Sequence, residues 1–265
     1  MRFNILPSPT PSIVLSRYEK TLFPVFHQLF ETPTPTSPLR HLARDPQEAF
    51  VAIILENHCE KPITAWRFQW QLTDASGQQR NGTISGDSYA VDVFRPIADP
   101  ASRHLITPSS CISEASLNHI LSGGGFLGVS SRGARTFSDL TEVTFEIHLI
   151  VFVDGEIAGP DPDDYAAELQ GRKLAAEFVA KQIRMAQVEG RDVTPVLTAL
   201  AEAPSLGRCQ PQDDPLFRSV RHYASDYLRH MNRKIGNVDM GAARLRYLEN
   251  RPTLPDFYRR SASDE

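Results

Sequence analysis

Cysteine is scarce in this 265-residue chain: Cys59, Cys111 and Cys209 lie far apart and make no C-x-x-C pair. An odd, scattered set of this kind suggests neither a disulfide framework nor a zinc site, and it suits a reducing cytoplasm. Long apolar runs are missing as well, since none approaches the roughly 18 residues of a membrane span. The opening stretch Met1–Pro7 has too short an apolar core for a signal peptide, and prolines follow at once. Catalytic signatures are also absent. No serine sits in G-x-S-x-G, no Gly-Lys-Ser/Thr marks a P-loop, and none of the cysteines has a context that would activate it. His222 and His230 are eight positions apart, too far for paired metal ligands on a helix. A G-x-G-x-x-G string does occur at Gly123–Gly128, but no strand precedes it and no helical face follows, so it reads as a loop. No catalytic residue, metal ligand or cofactor is therefore expected.

What is present is ordinary for a globular protein: 41 % hydrophobic and 23 % charged residues, in a chain long enough for one large or two modest domains. Charge is unevenly spread. Residues 214–260 carry ten Lys/Arg against five Asp/Glu, whereas residues 1–213 carry eighteen against twenty-five. The basic part is suited either to pairing with the chain's own acidic part or to meeting an acidic partner.

The chain is organised around Thr141–Asp161. Val143, Phe145, Ile147, Leu149, Val151 and Val153 fall on one side of an alternating strand, and the other side turns apolar at Ile150 and Phe152. His148, on that second side, reads as a satisfied or edge-exposed side chain. Asp154-Gly155 suits a two-residue type I′ turn, and Gly159-Pro160 stops the return strand. Asp161 is placed to accept the free amides of a helix start, with Pro162 at the first helical position. The acidic group Asp154, Glu156, Asp161, Asp163 and Asp164 lacks the ligand spacing of an EF-hand loop and is read as capping. The run from Phe152 to Asp161, followed by a charged helix, resembles a hairpin of uncharacterised bacterial proteins with an immunoglobulin- or fibronectin-III-like sandwich. In that family a strand of the form F-x-D-G-x-x-x-G-P-D closes the sandwich and leads into helices. The resemblance is sharpest over residues 140–175 and extends loosely to Phe50–Thr73. It implies a fold and no activity.

The remaining segments fit that frame. A proline-rich arm covers residues 1–46, in which positions 15, 18, 22, 26 and 29 follow helical spacing up to a kink at Pro24. Its aromatics are expected to dock on the chain's own body, with binding to a partner as the alternative. Phe50–Leu55 reads as a buried strand, and Trp66, Phe68, Trp70 and Leu72 as the core face of the next. Weaker strands are expected near 79–85, 89–95 and 104–107, and a turn or two of helix over 114–121. Helices are expected over 162–189, 193–203, 214–235 and 238–250. The first carries a broad apolar stripe of Tyr165, Leu169, Leu174, Phe178, Ile183 and Val188. The architecture expected is α+β: an Ig-like antiparallel β-sandwich over residues 47–160, a C-terminal helical domain over 161–250, and a flexible tail over 251–265.

The third helix is the cleanest. Leu216, Phe217, Val220, Tyr223, Ala224, Tyr227, Leu228, Met231 and Ile235 cover one side, and Arg218, Arg221, Arg229 and Arg233 the other. Guanidinium forks suit phosphate or carboxylate oxygens, so these four are the candidate binding residues. Nucleic acid is disfavoured by the absence of interleaved aromatics and of any DNA-binding motif. The function expected is a protein-binding or scaffolding module; the alternatives are a hydrolase site at the junction of sandwich and helices, or binding of an acidic ligand or nucleic acid through the basic helix 214–235.

Overall fold

The computed structural model describes residues 1–31, 46–89, 96–108, 110–121, 139–203, 214–231, 234–235, 238–239 and 254–259. The fold is mixed α+β, with antiparallel sheets and helices toward the C-terminus. It divides into two compact units. One comprises Met1–Gly86, Pro96–Val153 and Ile157–Pro160; the other comprises Asp87–Arg95, Asp154–Glu156 and Asp161–Glu265.

The first unit holds β1 (Arg2–Ile5), β2 (Ile13–Arg17), α1 (Pro24–His27), β3 (Ile53–Asn57), β4 (Ile63–Asp74), β5 (Gln79–Asp87, its last residue falling in the second unit), β6 (Arg103–Thr107), β7 (Ser110–Ser113), α2 (Glu114–Leu121), β8 (Leu140–Phe152) and β9 (Glu156–Ala158, its first residue likewise in the second unit). One sheet runs β2-β3-β6-β7, and the other runs β9-β8-β4-β5. On the edge of β8 away from β4, β1 pairs in parallel at residues 142–145 and β9 antiparallel at residues 150–151. Both sheets feed one core: Ile53, Leu55 and Ile106 cluster with Trp66, Phe68, Trp70, Val143 and Phe145. The Trp70 indole packs edge-on to Phe145 with centroids 4.8 Å apart, and its Nε1 donates to the Val51 carbonyl at 3.1 Å. The only polar atom of that side chain is thereby satisfied inside the core.

The alternation in β8 does not run through to its end. Core residues are Val143, Phe145 and Ile147, then Ile150 and Phe152. The pairing with β4 steps from Phe68↔Ile147 to Arg67↔Leu149, so His148 is an extra residue and the inward phase switches there. A bulge of one residue exchanges the two faces of everything beyond it. Leu149 and Val151 therefore do not share a face with Val143, contrary to the uninterrupted pattern. A second shift at Thr64 lies on β4, where the hydroxyl donates to the carbonyls of Val151 at 3.1 Å and Phe152 at 3.3 Å.

Three more expectations change in this unit. The helical spacing in the arm gives way to β2, which pairs with β3, and among the described residues of that stretch α-helix is confined to Pro24–His27. Pairing with β3 and burial of Tyr18, Phe26, Leu29 and Phe30 against Ile54, Leu105 and Leu117 outweigh local helix preference. Before β3, residues Pro46–Val51 form a 3-10 turn with Phe50 exposed, and the strand begins at Ile53. The turn after β8 is not type I′: Gly155 has φ +88°, but Asp154 is not left-handed. Val153–Gly155 forms a longer connection in which only the glycine needs positive φ. Residues 90–95 and Gly123–Gly128 lie outside the described residues.

The second unit is built on α3 (Tyr165–Val188), α4 (Val193–Glu202) and α5 (Pro215–Met231). The first helix begins three residues later than expected. Asp161 still serves its start, since its Oδ1 accepts from Tyr165 N at 2.7 Å and its Oδ2 from Ala166 N at 3.0 Å. Asp192 and Asp214 do the same for the other two, accepting from Thr194 N and Leu216 N. The core is Ala175, Ala176, Val179, Ala180, Ile183 and Ala186 of α3 against Leu197, Val220, Tyr223 and Tyr227. Gly171 lets the start of α5 approach α3 tightly: a β-carbon there would lie 2.6 Å from Pro215 Cβ and 2.8 Å from its carbonyl carbon. The third helix ends at Met231, and β10 (Lys234–Ile235) pairs antiparallel with β11 (Val238–Asp239) where helix was expected. Residues 240–253 lie outside the described residues.

Candidate functional site

Helix α5 sorts its residues as the 3.6-residue period requires. Phe217, Val220, Tyr223, Ala224 and Tyr227 are buried, while Arg218, Arg221 and Arg229 are exposed. Arg233 lies outside the described residues. The three described arginines share a side of the helix, yet each is engaged within the chain. Arg218 Nη2 pairs with Glu168 Oε2 at 3.3 Å. Arg221 Nε donates to the Ala201 carbonyl at 3.1 Å, in the last turn of α4, and its guanidinium lies over the Phe217 ring. Arg229 sits 3.8 Å from Asp226 on its own helix.

Glu168 links Arg218 to a more enclosed pair. Arg172 reaches Glu168 Oε1 at 3.1 Å and also binds Asp87, whose side chain is only 4 % exposed. Burial works against the Arg172 charge, but Asp87, Tyr165 and Glu168 more than offset it and raise its pKa above the usual guanidinium value. Asp87 Oδ1 also accepts from Tyr89 N at 2.9 Å, and the Tyr89 carbonyl accepts the Tyr223 hydroxyl at 2.5 Å. This network ties the loop at Asp87–Tyr89 to α3 and α5. Its carboxylates and carbonyls already hold the cations that an external anion would need.

The tail expected to fray is docked over residues 254–259. Leu254 is buried, and the nearly buried Lys173 Nζ donates to Pro255 O and to Asp256 Oδ1, both at 2.9 Å. The Phe257 ring packs on Tyr89 with centroids 5.4 Å apart. In β12 (Tyr258–Arg259), Tyr258 N donates to Gly155 O at 3.0 Å. Specific polar and aromatic partners replace the hydration that would have left this polar segment loose. Residues 260–265 lie outside the described residues.

The most exposed apolar side chains on one element belong to α3. Leu174, Met185 and Val188 are 38 %, 43 % and 88 % exposed. With Phe178 and Lys181 they follow a spacing of four, three, four and three residues, the seam of a heptad. The broad stripe in the sequence is thus two stripes. Tyr165, Leu169 and Ile183 point inward, whereas Leu174 and Val188 fall about half a turn away at 100° per residue. The spacing was visible in the sequence, but its merger with the inward set concealed it. Glu177 and Arg184, seven residues apart, flank the seam on one side. One oxygen of Glu177, Oε1, is shielded from solvent and has no hydrogen-bond partner among the described residues.

Comparison with known protein families, curated proteins and solved structures finds no match. Among the described residues no group of three or more His, Cys, Asp or Glu could hold a metal ion. Asp154 and Asp161 instead accept backbone amides from Glu156, Tyr165 and Ala166. No described helix is long and apolar enough to cross a membrane. A serine–histidine contact does occur in the first unit, with Ser102 Oγ 3.0 Å from His104 Nε2. The hydroxyl's one proton is directed to the Asp99 carbonyl at 2.5 Å, so the ring nitrogen is the donor. Burial lowers the His104 pKa to about 4, keeping the ring neutral and edge-on to Trp66. This geometry closes a turn and does not activate a nucleophile.

Proposed function

We propose that this chain is a protein-binding or scaffolding module of the cytoplasm. Its first unit is taken as an Ig-like sandwich and its docking face as the outer side of α3. The observation that carries the reading is the row of exposed Leu174, Met185 and Val188 on the outer side of α3, with the half-buried Phe178 bridging from that row to the helical core. Exposed apolar side chains aligned along a helix favour association with another apolar helix. The occupant proposed is an amphipathic helix with an apolar seam of its own. The arginines of α5 are the weaker candidate, because Arg218, Arg221 and Arg229 already have partners within the chain.

Two observations support the sandwich. The pairing of β3 with β6 corresponds to the B and E strands of such domains, and the pairing of β4 with β8 to the C and F strands. The proposed relationship to bacterial sandwich proteins rests on the hairpin run Phe152–Asp161. A reducing compartment is supported by Cys59 and Cys111, both free thiols.

The test is fluorescence anisotropy of a labelled amphipathic helical peptide carrying leucine at heptad a and d positions. It is titrated with the wild-type chain and with Met185→Glu/Val188→Glu. Saturable binding lost in the variant, at unchanged melting temperature, supports the α3 face. No saturation with wild type, or equal binding by both proteins, overturns it.

A further inference from the structure

We propose that the seat of residues 254–259 is a peptide-binding site for an extended segment reading apolar-Pro-Asp-aromatic-aromatic-Arg, which the chain's own residues 254–259 hold as a built-in competitor. Seat and occupant both belong to the second unit. The site is separate from the outer face of α3, because Lys173, its central residue, lies on the inward side of that helix at 2 % exposure.

Lys173 sets the ligand chemistry. Among the described residues both hydrogen-bond partners of its ammonium, Pro255 O and Asp256 Oδ1, come from the segment itself. A buried ammonium without a partner is strongly unfavourable, so the seat selects a ligand that brings a main-chain carbonyl and the carboxylate of the next residue together. Gly155 reads backbone. Having no side chain, it admits the Asp256 main chain, and its carbonyl accepts from Tyr258 N at 3.0 Å, as a strand edge takes an added peptide. The Tyr89 ring receives Phe257, and Arg259 Nη2 lies 3.9 Å from Asp161 Oδ2. Pro255 lowers the entropy lost on seating, because its φ is already fixed.

The occupant is shallow where its seat is enclosed. Leu254 is buried and Phe257 half-buried, whereas Pro255, Asp256, Tyr258 and Arg259 are exposed, the Asp256 side chain at 92 %. A segment held mainly through exposed residues is displaced by mass action when a competing ligand is supplied. A tethered segment competes at an effective concentration on the order of millimolar, so a free peptide of the same sequence binds the intact chain weakly.

Fluorescence anisotropy of a labelled Leu-Pro-Asp-Phe-Tyr-Arg peptide, titrated with the full-length chain, tests this. Asp256→Lys sets a like charge against Lys173, loosens the chain's own segment and should tighten peptide binding about tenfold over wild type. Tyr258→Pro removes the amide that donates to Gly155 O and should give a gain in the same direction, so the result does not hang on one variant. Adding Lys173→Met to Asp256→Lys should abolish the gain, and a peptide with Asn in place of Asp should bind about tenfold less tightly to Asp256→Lys. Met185→Glu/Val188→Glu should leave binding of this peptide unchanged, which separates the seat from the outer face of α3. Circular dichroism melts verify that each variant is folded. If neither Asp256→Lys nor Tyr258→Pro binds the peptide more tightly than wild type, or if the gain survives Lys173→Met, the proposal is overturned and residues 254–259 are a structural part of the second unit alone.

Discussion

Gly155 lies so close to the backbone of Asp256 that a β-carbon on it would sit 2.3 Å from the Asp256 carbonyl oxygen. The position also has φ +88°, so two separate demands fall on one residue. The contact, reinforced by the hydrogen bond from Tyr258 N to Gly155 O, fixes the C-terminal segment against the turn after β8.

Gly155→Ala should therefore destabilise the protein by about 3 kcal/mol or more, and Gly155→Val further. Gly77 provides the control: it has φ +82° with open space around it, so Gly77→Ala should cost about 1–2 kcal/mol for the backbone alone. Chemical denaturation of both variants checks this, and equal losses would show that the approach of Asp256 contributes nothing.

Docking of residues 254–259 should fail in acid. The hydrogen bond and charge of Lys173 lower the Asp256 pKa below its ordinary 3.8. A carboxylate depressed in the folded state contributes stability above its unfolded pKa and loses it as pH falls through the folded one. Hydrogen exchange of the Tyr258 amide, corrected for intrinsic rate, should show protection that is steady above that value and declines below it. Lys173→Met keeps most of the buried stem and removes the ammonium, so its protection should be low and independent of pH. An identical acid dependence in the variant would remove Asp256 from the account.

Asn57 clamps two loops of the first unit. Fully buried, its Nδ2 donates to Lys61 O at 3.2 Å and Asp99 O at 3.1 Å, and its Oδ1 accepts from Cys59 N at 3.0 Å. Asn57→Ala strands those groups and should cost about 2–4 kcal/mol. Thermal and urea unfolding measure it, and a loss under about 1 kcal/mol would mean that water replaces the amide.

The arginines should separate by burial. Arg172→Ala leaves Asp87 enclosed without its cation and should cost about 3 kcal/mol, with Arg172→Ala/Asp87→Asn recovering part of the loss. Arg218→Ala removes a more exposed pair and should cost under about 1 kcal/mol. A double-mutant cycle on Arg172 and Asp87 that shows no coupling would contradict the network.

The sequence by itself determined the elements whose faces are set locally. Trp66, Phe68, Trp70 and Leu72 alternate because one side of β4 meets the core, and Phe217, Val220, Tyr223 and Tyr227 recur at helical spacing for the same reason on α5. Asp161 was legible as a helix start because its partners are four and five residues away. The candidate site was half legible: Arg218, Arg221 and Arg229 were found on one side of α5, but not what holds them. Only the tertiary structure decided the phase switch at His148, the division of α3 into an inner and an outer stripe, and the docking of the tail. Periodicity reports that a residue lies on an apolar side, and cannot report which side another element covers. Nor does it register a bulge of one residue until the partner strand is present. The same holds for Lys173 with Asp256 and Arg172 with Asp87, pairs separated by 83 and 85 positions. Such pairs form because packing of the helices brings the groups together and excludes water around them, and nothing in the local sequence encodes that.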